Sequence, residues 1–92
     1  MFIHRDRWPA IIGGEQEQVL AEAGFRYDFE PGVLVNTKLR KVLSVEEAAD
    51  RCVEDLREFA TSKRNPREVE IVFHQNPPRA LRDSLRRRYG WS

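Results

Sequence analysis

Residues 44–62 read SVEEAADRCVEDLREFATS, and small or apolar residues recur in this stretch every three or four positions. This spacing is that of an amphipathic α-helix with one buried face. Ser44 followed by Glu47 fits a capping box, in which each side chain binds a backbone N–H at the start of the helix. We therefore predict one continuous helix with its charged face in solvent and, on its core face, Val45, Ala48, Ala49, Cys52, Val53, Leu56, Phe59 and Ala60.

The residues before this helix carry strand and turn patterns. Residues 25–29 (FRYDF) alternate aromatic and charged side chains, which predicts a strand with one buried aromatic face. Residues 30–33 (EPGV) fit a type II turn, after which residues 33–36 return as a second strand. Residues 39–43 form either a third strand or an extended lead into the helix.

Four further elements are expected from local signals. Residues 2–7 could be a short first strand, and residues 15–23 a short helix that ends at Gly24 in the left-handed conformation. Residues 68–74 predict a strand, and the apolar Val72 on its second face favours a central position in the sheet. A last helix begins at Asn76 and ends near Tyr89.

The order of these elements favours an α+β fold. We expect two layers in a single domain over residues 1–92, with two to three helices packed on one face of a mainly antiparallel sheet of three to five strands. The predicted core comprises Leu20, Phe25, Tyr27, Phe29, Val33, Val35, Val53, Leu56, Phe59, Ile71 and Phe73.

Composition limits the compartment and the class of protein. The chain has 92 residues, of which 40% are hydrophobic and 34% charged, as expected for a small core under a charged surface. No run approaches the roughly 18 apolar residues of a transmembrane helix, and the first residues lack the apolar block of a signal peptide. The single cysteine, Cys52, has no partner for an internal disulfide and is expected to be buried. These features predict a cytoplasmic protein.

Charge is distributed unevenly along the chain. Residues 1–62 contain 8 Lys/Arg and 12 Asp/Glu, whereas residues 63–92 contain 8 Lys/Arg and 3 Asp/Glu. Opposite charges on two halves of a small domain favour self-association, although they can also neutralise each other on folding.

The last helix carries the clearest candidate for a binding surface. Arg79, Arg82, Arg86 and Arg87 fall within one arc of it, a pattern suited to phosphate groups. The aromatic rings of Tyr89, Trp91 and His74 are candidates to stack on bases or to contact a partner. Two alternatives assign these arginines to the protein itself. In the first, Arg86, Arg87 and Arg88 in the last turn complement the helix dipole. In the second, the other arginines pair with the acidic face of the main helix, at Glu54, Asp55 and Glu58.

No set of residues predicts catalysis or a cofactor. His4, Asp6 and His74 are metal-ligand types, but no spacing brings three of them onto one element, so we expect no metal site. Ser84 has no local base, and Ser44 is used as a helix cap. We therefore expect a non-catalytic binding module that contacts another protein or a second copy of itself, as a possible homodimer, with nucleic-acid or polyanion binding as the alternative and no membrane partner. Trp8 and Trp91, near the two termini, either pin the chain ends or serve as interface anchors.

Overall fold

The computed structural model describes residues 8–62, 69–72 and 79–91. The predicted strand at residues 2–7, the core residue Phe73, the candidate site residue His74 and the start of the last helix at Asn76 lie outside these ranges. The elements are helices α1 (Gly14–Ala23), α2 (Val45–Asp50), α3 (Val53–Thr61) and α4 (Arg79–Tyr89), and strands β1 (Arg26–Asp28), β2 (Val33–Asn36), β3 (Lys41–Ser44) and β4 (Glu70–Val72).

The four described strands form one sheet in the order β1-β2-β3-β4. β1, β2 and β3 are antiparallel neighbours, and β4 runs parallel to β3 after a crossover through α2 and α3. This confirms an α+β fold with a mainly antiparallel sheet, and it confirms a third strand near residues 39–43. Within the described ranges β4 pairs only with β3 and is the last of the four described strands, so its predicted central position stays a prediction.

The sheet is covered on both faces. β2 alternates, so that Leu34 joins a cluster with Leu20 and Leu56, whereas Val33 and Val35 join a separate cluster with Leu81 of α4. The first cluster contains residues of all three helices α1, α2 and α3. The expected two layers are therefore three, because strands that are apolar on both faces need a cover on each side.

The predicted helix over residues 44–62 is interrupted at Arg51 and Cys52. Both residues are extended, with ψ of 143° and 164°, so that α2 ends and α3 begins anew. Gln16 of α1 stabilises the break by donating through Nε2 to the carbonyl oxygens of Ala49 at 3.1 Å and Arg51 at 2.5 Å. Cys52 is consequently exposed at the start of α3, and its predicted burial is wrong.

The start of this region agrees with the sequence. The Ser44 Oγ accepts a hydrogen bond from the Glu47 N–H at 3.1 Å, which confirms the Ser44 half of the predicted capping box. The Glu47 carboxylate accepts a hydrogen bond from the Arg51 Nε at 3.0 Å. The helix over residues 15–23 is also confirmed as α1, followed by Gly24 with φ of 107°.

Most predicted core residues are at least half-buried. Leu20, Phe25, Val33, Val35, Leu56 and Phe59 are buried, while Tyr27, Val53 and Ile71 are half-buried. Phe29 is an error in the prediction, since 70% of its surface is exposed. β1 ends at Asp28, so Phe29 belongs to the following turn and no longer follows the strand alternation.

A buried lysine links the sheet to α3. Lys41 is 1% exposed, and its Nζ donates to the Phe59 carbonyl oxygen at 2.5 Å and to Ser62 at its carbonyl oxygen and Oγ, 2.6 and 2.7 Å away. The last carbonyl groups of a helix have no partner within the helix. Lys41 thus caps the C-terminal end of α3 from within the core, with the Glu70 carboxylate 3.9 Å away.

No helix in the described part of the chain combines the length and the apolar character needed to cross a bilayer.

Candidate binding site on the basic helix

The helix α4 lies on the sheet with an apolar face inward and a basic face outward. Leu81 and Leu85 are buried against the valines of β2 and β3. The four arginines expected to form a basic arc are all exposed, and within residues 8–62, 69–72 and 79–91 none of them forms an ion pair or hydrogen bond: Arg79, Arg82, Arg86 and Arg87. Among the described residues, their guanidinium groups therefore have no partner.

The fifth arginine of α4 has a different role. Arg88 donates from Nε to the Asp28 Oδ2 at 2.7 Å and from Nη1 to the Glu30 carboxylate. The Tyr89 hydroxyl donates to the same Asp28 oxygen at 2.6 Å. These three hydrogen bonds attach the end of α4 to β1 and the turn that follows it.

The pKa values of both partners of Asp28 on α4, Arg88 and Tyr89, are raised. Burial raises the pKa of the Tyr89 phenol, and its hydrogen bond to the Asp28 carboxylate raises it further. The hydrogen bond to Asp28 also raises the pKa of the Arg88 guanidinium. Tyr89 is thus held as a neutral donor and Arg88 as a cation, the forms that the contact with a carboxylate requires.

A small apolar pocket lies between α4 and the end strand β4. Its volume is about 80 Å³, and its lining residues are Val69, Ile71, Arg82, Leu85, Arg86 and Trp91. The Trp91 ring stacks on the Tyr89 ring, with centroids 4.9 Å apart and planes inclined by 23°. Since Tyr89 is itself bound to Asp28, the wall formed by Trp91 is supported by a side chain in a fixed position.

The structure divides the predicted site residues into three groups. Arg82, Arg86 and Trp91 meet at the pocket, whereas Arg79 and Arg87 are exposed on α4 without lining it. Tyr89 supports Trp91 and uses its hydroxyl internally. His74 lies outside the described residues.

Sequence reasoning treated Arg88 only as a cation at the end of a helix and missed its carboxylate partners. The sequence does contain one signal for this pairing: the charged face of the predicted strand at residues 25–29 carries Asp28, to which no partner had been assigned.

The two outer layers of the protein have opposite charge. Helices α1, α2 and α3 together contain nine Asp/Glu and one Lys/Arg, whereas α4 contains five Arg and one Asp. Because the sheet separates these layers, the α4 arginines do not pair with Glu54, Asp55 or Glu58 in the described structure, and that alternative is wrong.

Two larger cavities lie elsewhere. One of about 380 Å³ lies beside the Asp28 contacts, with Arg26, Thr37 and the exposed Phe29 among its walls. The other, of about 360 Å³, is lined by residues 13–16, Cys52 and Val53, at the N-terminal ends of α1 and α3. Gln16 lines this second cavity, but its side-chain amide is already hydrogen-bonded within the protein. Its Nε2 donates to two carbonyl groups, and its Oε1 accepts from the Gly13 N–H at 2.8 Å.

Within the described ranges, no group of three or more His, Cys, Asp or Glu side chains is arranged to hold a metal ion. Comparison with known proteins finds no match, whether with family models, curated proteins or solved structures.

Proposed function

We propose that this protein is a cytoplasmic, non-catalytic binding module, and that it contacts another protein through the pocket between α4 and β4. The occupant is an acidic segment with one apolar side chain. The observation that carries the proposal is an apolar pocket bordered by Arg82 and Arg86, two cations without an internal partner in the described structure.

The residue types fit this role. Trp and Arg are the residues that most often dominate the energy of a protein interface, particularly around a small desolvated pocket. A volume of about 80 Å³ is too small for a helix or a cofactor and suits a single side chain. Two guanidinium groups at the rim select carboxylates beside that side chain, because they bind them through paired, charge-assisted hydrogen bonds.

The free thiol supports the cytoplasmic part of the proposal. Cys52 is exposed and unpaired in a chain with one cysteine, an arrangement typical of proteins in a reducing compartment.

A peptide titration tests the proposed pocket. The probe is a fluorescein-labelled peptide of alternating Glu and Ser with one central Ile, and its control has Ser in place of the Ile. We expect a dissociation constant of about 10–100 µM for the first peptide and binding at least about tenfold weaker for the second.

Charge-reversal variants at the pocket and at a distant exposed arginine provide the test and its matched control. Arg82→Glu combined with Arg86→Glu should abolish peptide binding, whereas Arg57→Glu, an exposed reversal on α3, should leave it unchanged. Equal binding of both peptides, or equal loss with Arg57→Glu, would contradict a pocket-based site.

Nucleic-acid or polyanion binding is the second candidate, and it is favoured by the row of four exposed arginines along α4, which have no partner in the part of the chain that the structure describes. Arg79 and Arg87 distinguish the two candidates, because they lie outside the pocket. If the row binds phosphates, each change to Ala should reduce the salt dependence of oligonucleotide affinity by about one unit of slope. A peptide site is insensitive to these two changes, and a lack of oligonucleotide binding at low salt excludes the second candidate.

A further inference from the structure

We propose that the acidic segment that fills the pocket belongs to a second copy of this chain, and that its apolar side chain is Ile11. This inference rests on the proposed function, because it names the occupant of the same pocket. Copies would then associate head to tail, with Ile11 of one copy between Arg82 and Arg86 of the next.

Ile11 is an aliphatic side chain exposed on a supported turn. It is 64% exposed, while the neighbouring Ile12 is 6% exposed and belongs to the core cluster beneath α1 and α3. The turn is closed by a hydrogen bond from the Ile12 N–H to the Pro9 carbonyl oxygen at 3.1 Å. Burial of Ile12 therefore keeps the Ile11 side chain outside the core.

The alternative apolar side chain is in the wrong place. Among the described residues, Ile11 and Phe29 are the large hydrophobic side chains with most of their surface exposed. Phe29 lines the cavity next to Arg88 and Tyr89, so it lies on the basic side of the molecule. Phe29 is flanked by two acidic residues, Asp28 and Glu30, but both of their carboxylates already bind Arg88. Glu15 and Glu17, which follow Ile11, form no ion pair among the described residues.

The charges around Ile11 complement those around the pocket. Glu15 and Glu17 lie in the first turn of α1, four and six residues after Ile11. They begin the layer of three helices with nine acidic residues and one basic residue. Arg82 and Arg86 border the pocket, so insertion of Ile11 brings carboxylates towards guanidinium groups that have no partner among the described residues.

The position of the two features determines the geometry of association. Ile11 adjoins the cluster on the α1–α3 face of the sheet, and the pocket adjoins the cluster on the α4 face. The sheet prevents Ile11 from reaching the pocket of its own chain. Each copy offers one apolar side chain and one pocket on opposite sides, which is a heterologous contact able to extend from copy to copy.

Two variants that each remove half of the contact provide the test. Ile11→Asp keeps the pocket but loses the apolar side chain, and Arg82→Glu with Arg86→Glu keeps Ile11 but loses the pocket charges. Sedimentation velocity at low salt, from about 10 µM to 1 mM, should show each variant alone as a 10.8-kDa monomer. The two mixed in equal amounts should form a species of twice that mass and nothing larger, while the wild-type protein forms longer species with rising concentration.

Controls separate this contact from other modes of association. Phe29→Asp removes an equally exposed side chain and should associate like wild type, and Ile11→Ser repeats the test without a new charge. Ile11→Asp that still dimerises alone would indicate an interface without this contact and would overturn the proposal. A wild-type protein that stays monomeric throughout would also overturn it, as would a mixture of the two variants that stays monomeric.

The acidic peptide titration on the Ile11→Asp variant shows which proposal has failed. This variant keeps the pocket intact. If the peptide binds and the wild-type protein does not associate, the occupant is a different protein and only this inference fails. If the peptide does not bind and the protein does not associate, the pocket is not a protein-binding site and both proposals fail.

Discussion

Each face of the sheet carries one charged side chain that connects it to a helix, and the two differ in their exposure to solvent. On the α1–α3 face, Lys41 is 1% exposed and binds the buried end of α3. On the α4 face, Asp28 is 8% exposed, but its partner Arg88 has 38% of its side chain exposed. The first contact is enclosed in the core, and the second lies at its edge.

The apolar clusters show the same asymmetry. Counted over the described residues, the cluster on the α1–α3 face contains nine buried residues and the cluster on the α4 face contains five. Attachment of α4 therefore depends more on polar contacts that solvent can reach. The proposed binding surface is carried by the helix that is held less firmly.

The largest expected effect comes from Lys41→Met. The substitution keeps much of the apolar chain but removes the Lys41 donor to the Ser62 carbonyl oxygen and one of the two donors to the Phe59 carbonyl oxygen. It also leaves the Glu70 carboxylate without its nearby cation. We expect the free energy of unfolding to fall by about 3 kcal/mol, measured by urea denaturation. Lys38→Met, at an exposed position, is the control and should change stability by less than about 0.5 kcal/mol. Equal losses of stability in Lys41→Met and Lys38→Met would mean that the buried contacts of Lys41 do not stabilise the protein.

Asp28→Asn should have a smaller effect. The amide keeps the shape of the side chain but weakens the charge-assisted hydrogen bonds from Arg88 and Tyr89. The Arg88 side chain is half-exposed to solvent, so its bond contributes less to stability than a buried one. We expect a loss of about 1–2 kcal/mol in the same assay. Glu30→Gln, at a residue with a 61% exposed side chain, should cost much less. A loss as large as that of Lys41→Met would contradict the difference between the two faces.

Alkaline pH should loosen the α4 face selectively. The pKa of Tyr89 is raised above its ordinary value of 10.0 in the folded protein, so its contribution to stability is present below that pH and is lost as pH rises through the folded value. The difference in unfolding free energy between wild type and Tyr89→Phe should therefore shrink as the pH rises above about 10. A difference that stays constant or grows would show that the phenol is not stabilised in its neutral form.

The smallest effect is a gain of stability on the α1–α3 face. Cys52 begins α3 but its side chain makes no capping hydrogen bond. Cys52→Ser supplies a better acceptor and should raise the unfolding free energy by about 0.5–1 kcal/mol. Native-state labelling with a thiol reagent checks the exposed position directly, since wild-type Cys52 should react without prior unfolding. A stability loss, or labelling only after denaturation, would place Cys52 in the core.

The parts of the fold that could be predicted are those specified by neighbouring residues. The cap at Ser44 depends on Glu47, three residues away, and the end of α1 depends on Gly24. The break in the main helix could not be predicted, because the carbonyl group of Arg51 is satisfied by Gln16, 35 residues earlier. Helical periodicity survives such a break, so the sequence pattern suggested one helix where there are two.

In the candidate site, too, the features that depend on neighbouring residues could be predicted and those that depend on distant residues could not. The exposure of the arginines at 79, 82, 86 and 87 could be inferred from helical spacing on α4 alone. The role of Arg88 could not, because its carboxylate partners lie on β1 and in the next turn. The pocket also escaped prediction, because it joins α4 to Val69 and Ile71 on a strand whose neighbours are set by the crossover.

The bond between Asp28 and Arg88 joins residues that are 60 positions apart, and this separation has a consequence for folding. Closing so long a loop costs more chain entropy than closing the turn between β1 and β2, so the bond forms only after the rest of the sheet is assembled. During unfolding the order is reversed, and α4 separates while the three-stranded meander persists. Backbone amides of α4 should accordingly exchange with deuterium earlier than those of β2 and β3.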